Sequence, residues 1–245
     1  MRVLVADNIP ERIRDALAQS GCEVDFQPSL GPDDLVDAIG TANVLIVRST
    51  KVTASAITNA RNLNLIIRAG AGTNTIDCAA AASQGIYVCN TPGKNAVAVA
   101  ELTMGLIIAL DRRIPDNVSQ LREGRWNKKE FSKARGLLGK TMGIIGMGQI
   151  GQEVALRAKA FGMPVLGWSR SLTDERADEL GISRADTVAQ LCSQADVISV
   201  HLPLADGTKH IVGPSEFALM RESTLFVNAA RGGVVDDVAM ADAVN

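Results

Sequence analysis

An apolar run, Thr141-Met142-Gly143-Ile144-Ile145, passes directly into Gly146-Met147-Gly148-Gln149-Ile150-Gly151 and then into a helical pattern over 152–161. No other segment constrains the fold as tightly. Between a strand and a helix, three glycines at this spacing have separate physical roles. Gly146 permits the tight turn, Gly148 lets backbone amides approach a pyrophosphate, and Gly151 allows the helix to pack on the strand. The amides around Gln149 and Ile150, with the positive end of the helix dipole, then face the phosphates. A second apolar run at 164–168 completes a strand–helix–strand unit. The segment reads as a dinucleotide site.

Short β-rich runs alternate with helical ones along the whole chain. Strands are predicted at 3–6, 23–26, 44–47, 65–67 and 87–89, and again at 142–145, 165–168, 197–200 and 225–228. Helical patterns fill the gaps, among them 11–20, 32–39, 76–84 and 188–193. Continuous apolar strands joined by crossover helices predict parallel sheets covered on both faces. So many strands in 245 residues argue for two α/β domains, 1–89 and 90–245. The helical run 95–110 is apolar almost all round, which predicts burial between layers or at a subunit contact. Glu101 within it is expected to be partnered, because a lone buried charge is costly.

Composition narrows the partners. Lys and Arg number 25 against 27 Asp and Glu, for a net charge of −2, and no basic stripe is present. Nucleic acid and anionic membranes therefore have no support as partners. No segment has the length of a membrane span, and Met1-Arg2-Val3-Leu4-Val5-Ala6-Asp7 reads as a first strand in place of a signal peptide. Cys22, Cys78, Cys89 and Cys192 lack metal-type spacing and the histidines number 2, so no metal centre is expected. Scattered cysteines of this kind fit reduced thiols in a cytoplasmic protein.

In open parallel sheets ligands bind beyond the carboxyl ends of the strands. Polar clusters stand at these ends: Arg48-Ser49-Thr50-Lys51, Arg68-Ala69-Gly70-Ala71-Gly72-Thr73-Asn74, Asn90-Thr91-Pro92-Gly93-Lys94, His201-Leu202-Pro203-Leu204 and Ala229-Ala230-Arg231-Gly232-Gly233. Guanidinium forks and free backbone amides suit a carboxylate or phosphate beside a dinucleotide.

These segments resemble the D-2-hydroxy acid dehydrogenase family over essentially the whole chain, most closely its phosphoglycerate-oxidising branch. The most specific pieces are residues 68–77, the glycine motif, Val200-His201-Leu202-Pro203-Leu204 and Val227-Asn228-Ala229-Ala230-Arg231-Gly232-Gly233. The resemblance implies an α/β fold of two Rossmann-like domains with parallel sheets and a cleft between them. A flavodoxin-like substrate domain would occupy 1–89, and a dinucleotide-binding domain 90–245. Hydride transfer between C2 of a small anionic 2-hydroxy or 2-keto acid and nicotinamide C4 is the implied chemistry. Oxidation of 3-phosphoglycerate, towards serine, is the leading reaction; hydroxypyruvate or glyoxylate reduction is the alternative. A non-catalytic dinucleotide-sensing protein is a further alternative.

The same resemblance implies residue roles. Arg231 is the catalytic group that grips and polarises the substrate carboxylate and carbonyl. The amides of Ala71 and Gly72 hold the carboxylate, with Arg68 and Asn90 in the same substrate-binding loops, and Arg48 and Lys51 face a distal phosphate. His201, Leu202, Pro203, Thr208, Ala229 and Ala230 belong to the cofactor side. His201 reads as a cofactor contact, with general base and plain packing as alternatives. His210 reads as a surface loop residue. A homodimer through the second domain is also implied.

Two departures from the family pattern matter. A carboxylate about 20 residues past the glycines takes the adenosine 2′-hydroxyl of NAD, whereas an arginine suits the 2′-phosphate of NADP. Here the stretch is Gly167-Trp168-Ser169-Arg170-Ser171, with no acid. Ser169 and Arg170 predict that NADP(H) is accepted as well as or instead of NAD(H); alternatively, Arg170 stacks on the adenine and NAD is used. The second departure is that the family's catalytic glutamate and histidine are expected beyond Asn245. The chain therefore reads as part of a longer protein and as catalytically incomplete by itself.

Overall fold

Ten short runs, most of them rich in Val, Ile and Leu, form strands among the described residues, 1–244, of the computed structural model, and helices join them in alternation. The chain divides into two units, Met1–Asn95 and Ala96–Asn245.

The first unit strings together β1 (Arg2–Val5), α1 (Glu11–Gln19), β2 (Glu23–Phe26), α2 (Asp34–Ala38), β3 (Val44–Val47), α3 (Ala54–Asn59), β4 (Leu65–Arg68), α4 (Cys78–Ser83) and β5 (Tyr87–Asn90). All pairings are parallel, in the order β2-β1-β3-β4-β5. Side chains alternate across a strand, and here both faces are covered. Leu4, Leu45, Val47 and Ile66 pack with Leu35 and Ile57 on one side. Val3, Val5 and Ile46 pack with Ile9 and Leu17 on the other. Two-sided burial is why these strands read as unbroken apolar runs. Thr53 and Asp77 start α3 and α4 by accepting hydrogen bonds from Ala56 N and Ala80 N.

The second unit contains α5 (Ala96–Arg112), α6 (Ile114–Arg122), α7 (Lys128–Phe131), β6 (Met142–Ile145), α8 (Gln149–Ala160), β7 (Val165–Trp168), α9 (Asp174–Leu180), β8 (Ser183–Arg184), α10 (Val188–Gln194), β9 (Val197–Val200), α11 (Pro214–Phe217), β10 (Leu225–Asn228) and α12 (Asp237–Val244). Its strands are also parallel, in the order β10-β9-β6-β7-β8. Met142 and Ile144 pack against Ala100, Met104 and Ile107 of α5 and Val154 and Ala158 of α8. Ile145, Leu166, Ile198 and Val200 pack on the opposite face with Leu191, Val212 and Val234. Counted from β6, this is the order of a dinucleotide-binding doubly wound sheet, and the first unit has the flavodoxin-like order. Strand order reverses between β6 and β9 in one sheet, and between β1 and β3 in the other.

Four details differ from the sequence reading. The units divide at Asn95 and Ala96, beyond the end of β5; Thr91 N donates to Gly70 O and keeps that segment with the first unit. Strand β8 was not predicted, since it is two polar-leaning residues at a sheet edge. Helix α8 begins at Gln149, not 152, which puts Gln149 and Ile150 in its first turn.

The fourth detail concerns 95–110, expected to lie buried between layers or at a subunit contact; within the chain its burial is one-sided. Only one face of α5 is buried, through Ala96, Ala100, Thr103, Met104 and Ile107, because small residues there let the helix approach α8. Val97, Leu102, Leu106 and Leu110 are exposed. Glu101 is partnered but not buried: it is 65% exposed, with Arg157 at 3.8 Å. No helix among the described residues is long and apolar enough to cross a membrane.

Candidate functional site

The turn after β6 is built by steric exclusion. Gly146 adopts φ 107°, a conformation that side chains disfavour. Its N–H donates to Trp168 O at 2.7 Å, and a Cβ there would stand 2.7 Å from His201 O. A Cβ on Gly151 would stand 2.0 Å from Gly146 O. Gly148 is the opposite case: a Cβ would meet nothing within 4 Å. This glycine precedes α8 at the N-cap, and no side chain caps the helix. The first-turn amides, around Gln149 and Ile150, are left over by helix geometry and sit where the helix dipole favours an anion. The Gln152 carboxamide donates to Met147 O at 3.1 Å and braces the turn.

Three other strand ends lie in a row with this turn along the sheet edge. Beyond β7, Ser169 is half-buried and Arg170 exposed, with Arg170 Nη1 3.5 Å from where a Cβ on Gly207 would be. Beyond β9, His201 N donates to Ile145 O at 2.8 Å. The His201 ring pairs through Nε2 with Ser199 Oγ at 3.0 Å. Its Nδ1 is buried without a partner among the described residues. Burial pushes the His201 pKa down from 6.5 to about 4, so the imidazole is uncharged near neutrality.

Leu202 is half-buried and Pro203 exposed. Thr208 is buried, and its hydroxyl is engaged inside the turn: it accepts from Ala205 N at 2.8 Å and donates to Pro203 O. The structure therefore gives the Thr208 side chain a loop-shaping position. Beyond β10, Asn228 Oδ1 accepts from Ala230 N at 3.1 Å. Arg231 is exposed, and among the described residues its side chain makes one hydrogen bond, Nη1 to Ala230 O at 2.8 Å; Ala229 and Ala230 are half-buried. His210, at φ 50°, is half-exposed and stands 3.6 Å from Asp236.

In the first unit, Arg48 and Lys51 are exposed. The N–H groups of Arg48, Ser49 and Thr50 all donate to Asp7 Oδ2, at 2.7, 3.0 and 3.0 Å. Arg68 Nε donates to Arg48 O at 3.0 Å, and the Arg68 guanidinium folds over Gly70. Asn90 Nδ2 donates to Ala71 O at 2.7 Å and steadies the loop carrying Ala71 and Gly72. Arg68 and Asn90 thus shape backbone at this edge, while the exposed cationic heads of Arg48 and Lys51 have no ion-pair partner among the described residues. Sequence reasoning missed Asp7; its signal was an acid directly after the first strand. A cavity of about 810 Å³ lined by Leu110, Phe217, Met220, Phe226 and Met240 touches none of these residues.

Residues 104–245 match the sequence model of a family described as "D-isomer specific 2-hydroxyacid dehydrogenase, NAD binding domain". Over 245 residues the chain is 42% identical to a D-3-phosphoglycerate dehydrogenase of Methanocaldococcus jannaschii, covering 100% of this chain and 46% of the relative. It is 44% identical over 216 residues to a hydroxypyruvate reductase of Thermotoga maritima, covering 88% of this chain and 69% of the relative. Among solved structures, the TT0316 protein of Thermus thermophilus matches with a TM-score of 0.90 at 32% identity, over 100% of this chain and 78% of the other. The chain spans a little under half the length of the phosphoglycerate dehydrogenase it matches.

Proposed function

Because this chain belongs to the D-isomer specific 2-hydroxyacid dehydrogenase family, we propose that its protein interconverts a small D-2-hydroxy acid and the corresponding 2-keto acid with a nicotinamide dinucleotide. 3-Phosphoglycerate is the substrate this reading favours. One observation carries it: at the turn after β6 a side chain is excluded at Gly146 and Gly151 but has open space at Gly148. A pyrophosphate fits such a turn, because amides and the helix dipole are available and no side chain intervenes. Relatives bearing the phosphoglycerate dehydrogenase name, and the exposed cations Arg48 and Lys51, support a phosphorylated acid.

In this reading the first unit serves the substrate and the second the cofactor. When bound, the nicotinamide supplies the hydride-accepting carbon. The chain's own residues bind and orient. Arg231 keeps its charge at any physiological pH and offers a planar fork to a carboxylate and adjoining oxygen. In the first unit, the amides of Ala71 and Gly72 suit a carboxylate. Leu202, Pro203, Ala229 and Ala230 keep water from the nicotinamide side, and His201, uncharged near neutrality, lines the site as a neutral hydrogen-bonding ring. The exposed apolar residues Val97, Leu102, Leu106 and Leu110 of α5 support a homodimer through the second unit.

A second reading, hydroxypyruvate reduction with NADPH, is favoured by the missing acid at 169–171 and by Arg170 in its place. Rates in the full natural chain, with 3-phosphoglycerate and NAD against hydroxypyruvate and NADPH, separate the two. The phosphoglycerate reading predicts that Arg48→Ala raises KM for the phosphorylated acid selectively. Equal effects on phosphorylated and plain acids contradict it.

A further inference from the structure

Asp7 follows β1 and Arg48 follows β3, the strands at which the order β2-β1-β3-β4-β5 reverses. In a doubly wound sheet this crevice is where ligands bind. Three successive amides there converge on one oxygen, Asp7 Oδ2, at 2.7, 3.0 and 3.0 Å. Convergent amides of this kind form a concavity for an anion, and the protein fills it with its own carboxylate. The Thr50 hydroxyl adds a bond to Ala6 O at 3.3 Å. Arg68 Nε holds the Arg48 carbonyl at 3.0 Å. The Arg48 backbone is therefore fixed through both its N–H and its C=O, while its side chain remains exposed.

We propose that Asp7 is a positioning residue, which fills the amide nest of the loop 48–50 and so sets Arg48 and Lys51 for the distal anion of the substrate. This rests on the reading that those two cations meet a substrate phosphate. Two consequences follow from the geometry. The nest itself is closed to the substrate, so recognition of the distal anion depends on the side chains of Arg48 and Lys51. Removing the Asp7 carboxylate opens a site the size of one small carboxylate and frees the loop.

The test uses the full natural chain with NADH present, and calorimetric binding of 3-phosphoglycerate and of D-glycerate. Asp7→Asn, Asp7→Ala and Arg48→Ala are compared with the wild type. Loss of three charge-assisted bonds predicts that both Asp7 variants bind 3-phosphoglycerate about tenfold more weakly. D-Glycerate affinity should hold within about twofold, the range expected away from the altered contact. Added formate should restore phosphoglycerate binding in Asp7→Ala and not in Arg48→Ala. Asp7→Asn preserves shape and serves if the alanine variant does not fold.

Asp7 variants that bind like the wild type, while Arg48→Ala loses the phosphorylated acid selectively, overturn the positioning role and leave the substrate reading standing. Equal loss of both acids without formate rescue overturns it as well, since that marks general destabilisation. A wild type that binds neither acid, or an Arg48→Ala variant that does not discriminate between them, overturns the substrate reading and the proposal with it.

Discussion

The carbonyl oxygen of His201 lies 2.7 Å from where a Cβ on Gly146 would stand. That close approach is possible because Gly146 has no side chain, and the bond from His201 N to Ile145 O at 2.8 Å joins the ends of β9 and β6 where the strand order of the second sheet reverses. The loop that would receive a pyrophosphate and the loop carrying His201, whose Nδ1 is buried, pack together.

The glycines of that turn should respond differently to the same substitution. Gly146→Ala adds an atom against backbone at a positive φ, and Gly151→Ala adds one 2.0 Å from Gly146 O. Each should cost about 1–3 kcal/mol or more of stability. Gly148→Ala, at φ −73° with free space, should leave stability within about 1 kcal/mol of wild type. Urea midpoints of the three variants check this; a uniform loss would contradict it.

The burial of His201 sets a stability slope. The unfolded chain takes a proton near 6.5 and the folded chain only near 4. Stability is therefore full above pH 6.5 and declines as pH falls from 6.5 towards 4, by on the order of 3 kcal/mol. His201→Asn should lack that slope. In histidine NMR spectra the His201 ring signal should stay flat from about pH 5.5 to 8. A titration midpoint near neutrality would show the ring to be solvated.

Asp7 should act in a more acidic window. Burial raises its pKa, but the amides of Arg48, Thr50 and Ser49 and the Thr50 hydroxyl outweigh it, leaving the value below the usual 3.8. Its contribution is present above the unfolded pKa and is lost as pH falls through the folded value. The stability gap between wild type and Asp7→Asn should thus be full above about pH 4 and close below it. Denaturation midpoints from acid to neutral pH measure the gap, and a gap that does not change with pH would refute the charge-assisted nest.

Arg170→Ala should weaken NADPH about tenfold and change NADH by no more than about twofold, because a 2′-phosphate takes charge-assisted bonds that a hydroxyl does not. Competitive titration of the two cofactors tests it. Equal weakening of both would assign Arg170 to the adenine face.

What the sequence conveyed was local. Nine strands and the glycine turn were legible: most of the strands because two-sided burial writes apolar runs, and the turn because a strand-to-helix turn writes glycines. Three features were not legible because they depend on partners distant in sequence. Asp7 meets residues 48–50 only once β1 and β3 are neighbours. Arg68 and Asn90 read as free polar groups until their bonds to Arg48 O and Ala71 O are seen. In α5, apolar residues on both faces disclosed nothing of which face the sheet and α8 would cover. Strand β8 is too short and polar to carry a periodic signal.

The function proposed for this protein requires the turn from Gly146 to Gly151 to hold a nicotinamide dinucleotide. Equilibrium titration of NADH onto this chain and its Gly148→Ala variant, followed by fluorescence of Trp168 at the end of β7, tests it most directly. Saturable binding to the wild type is expected, with affinity reduced about tenfold in the variant and stability preserved. Absence of binding, or equal affinity in the two proteins, would contradict it.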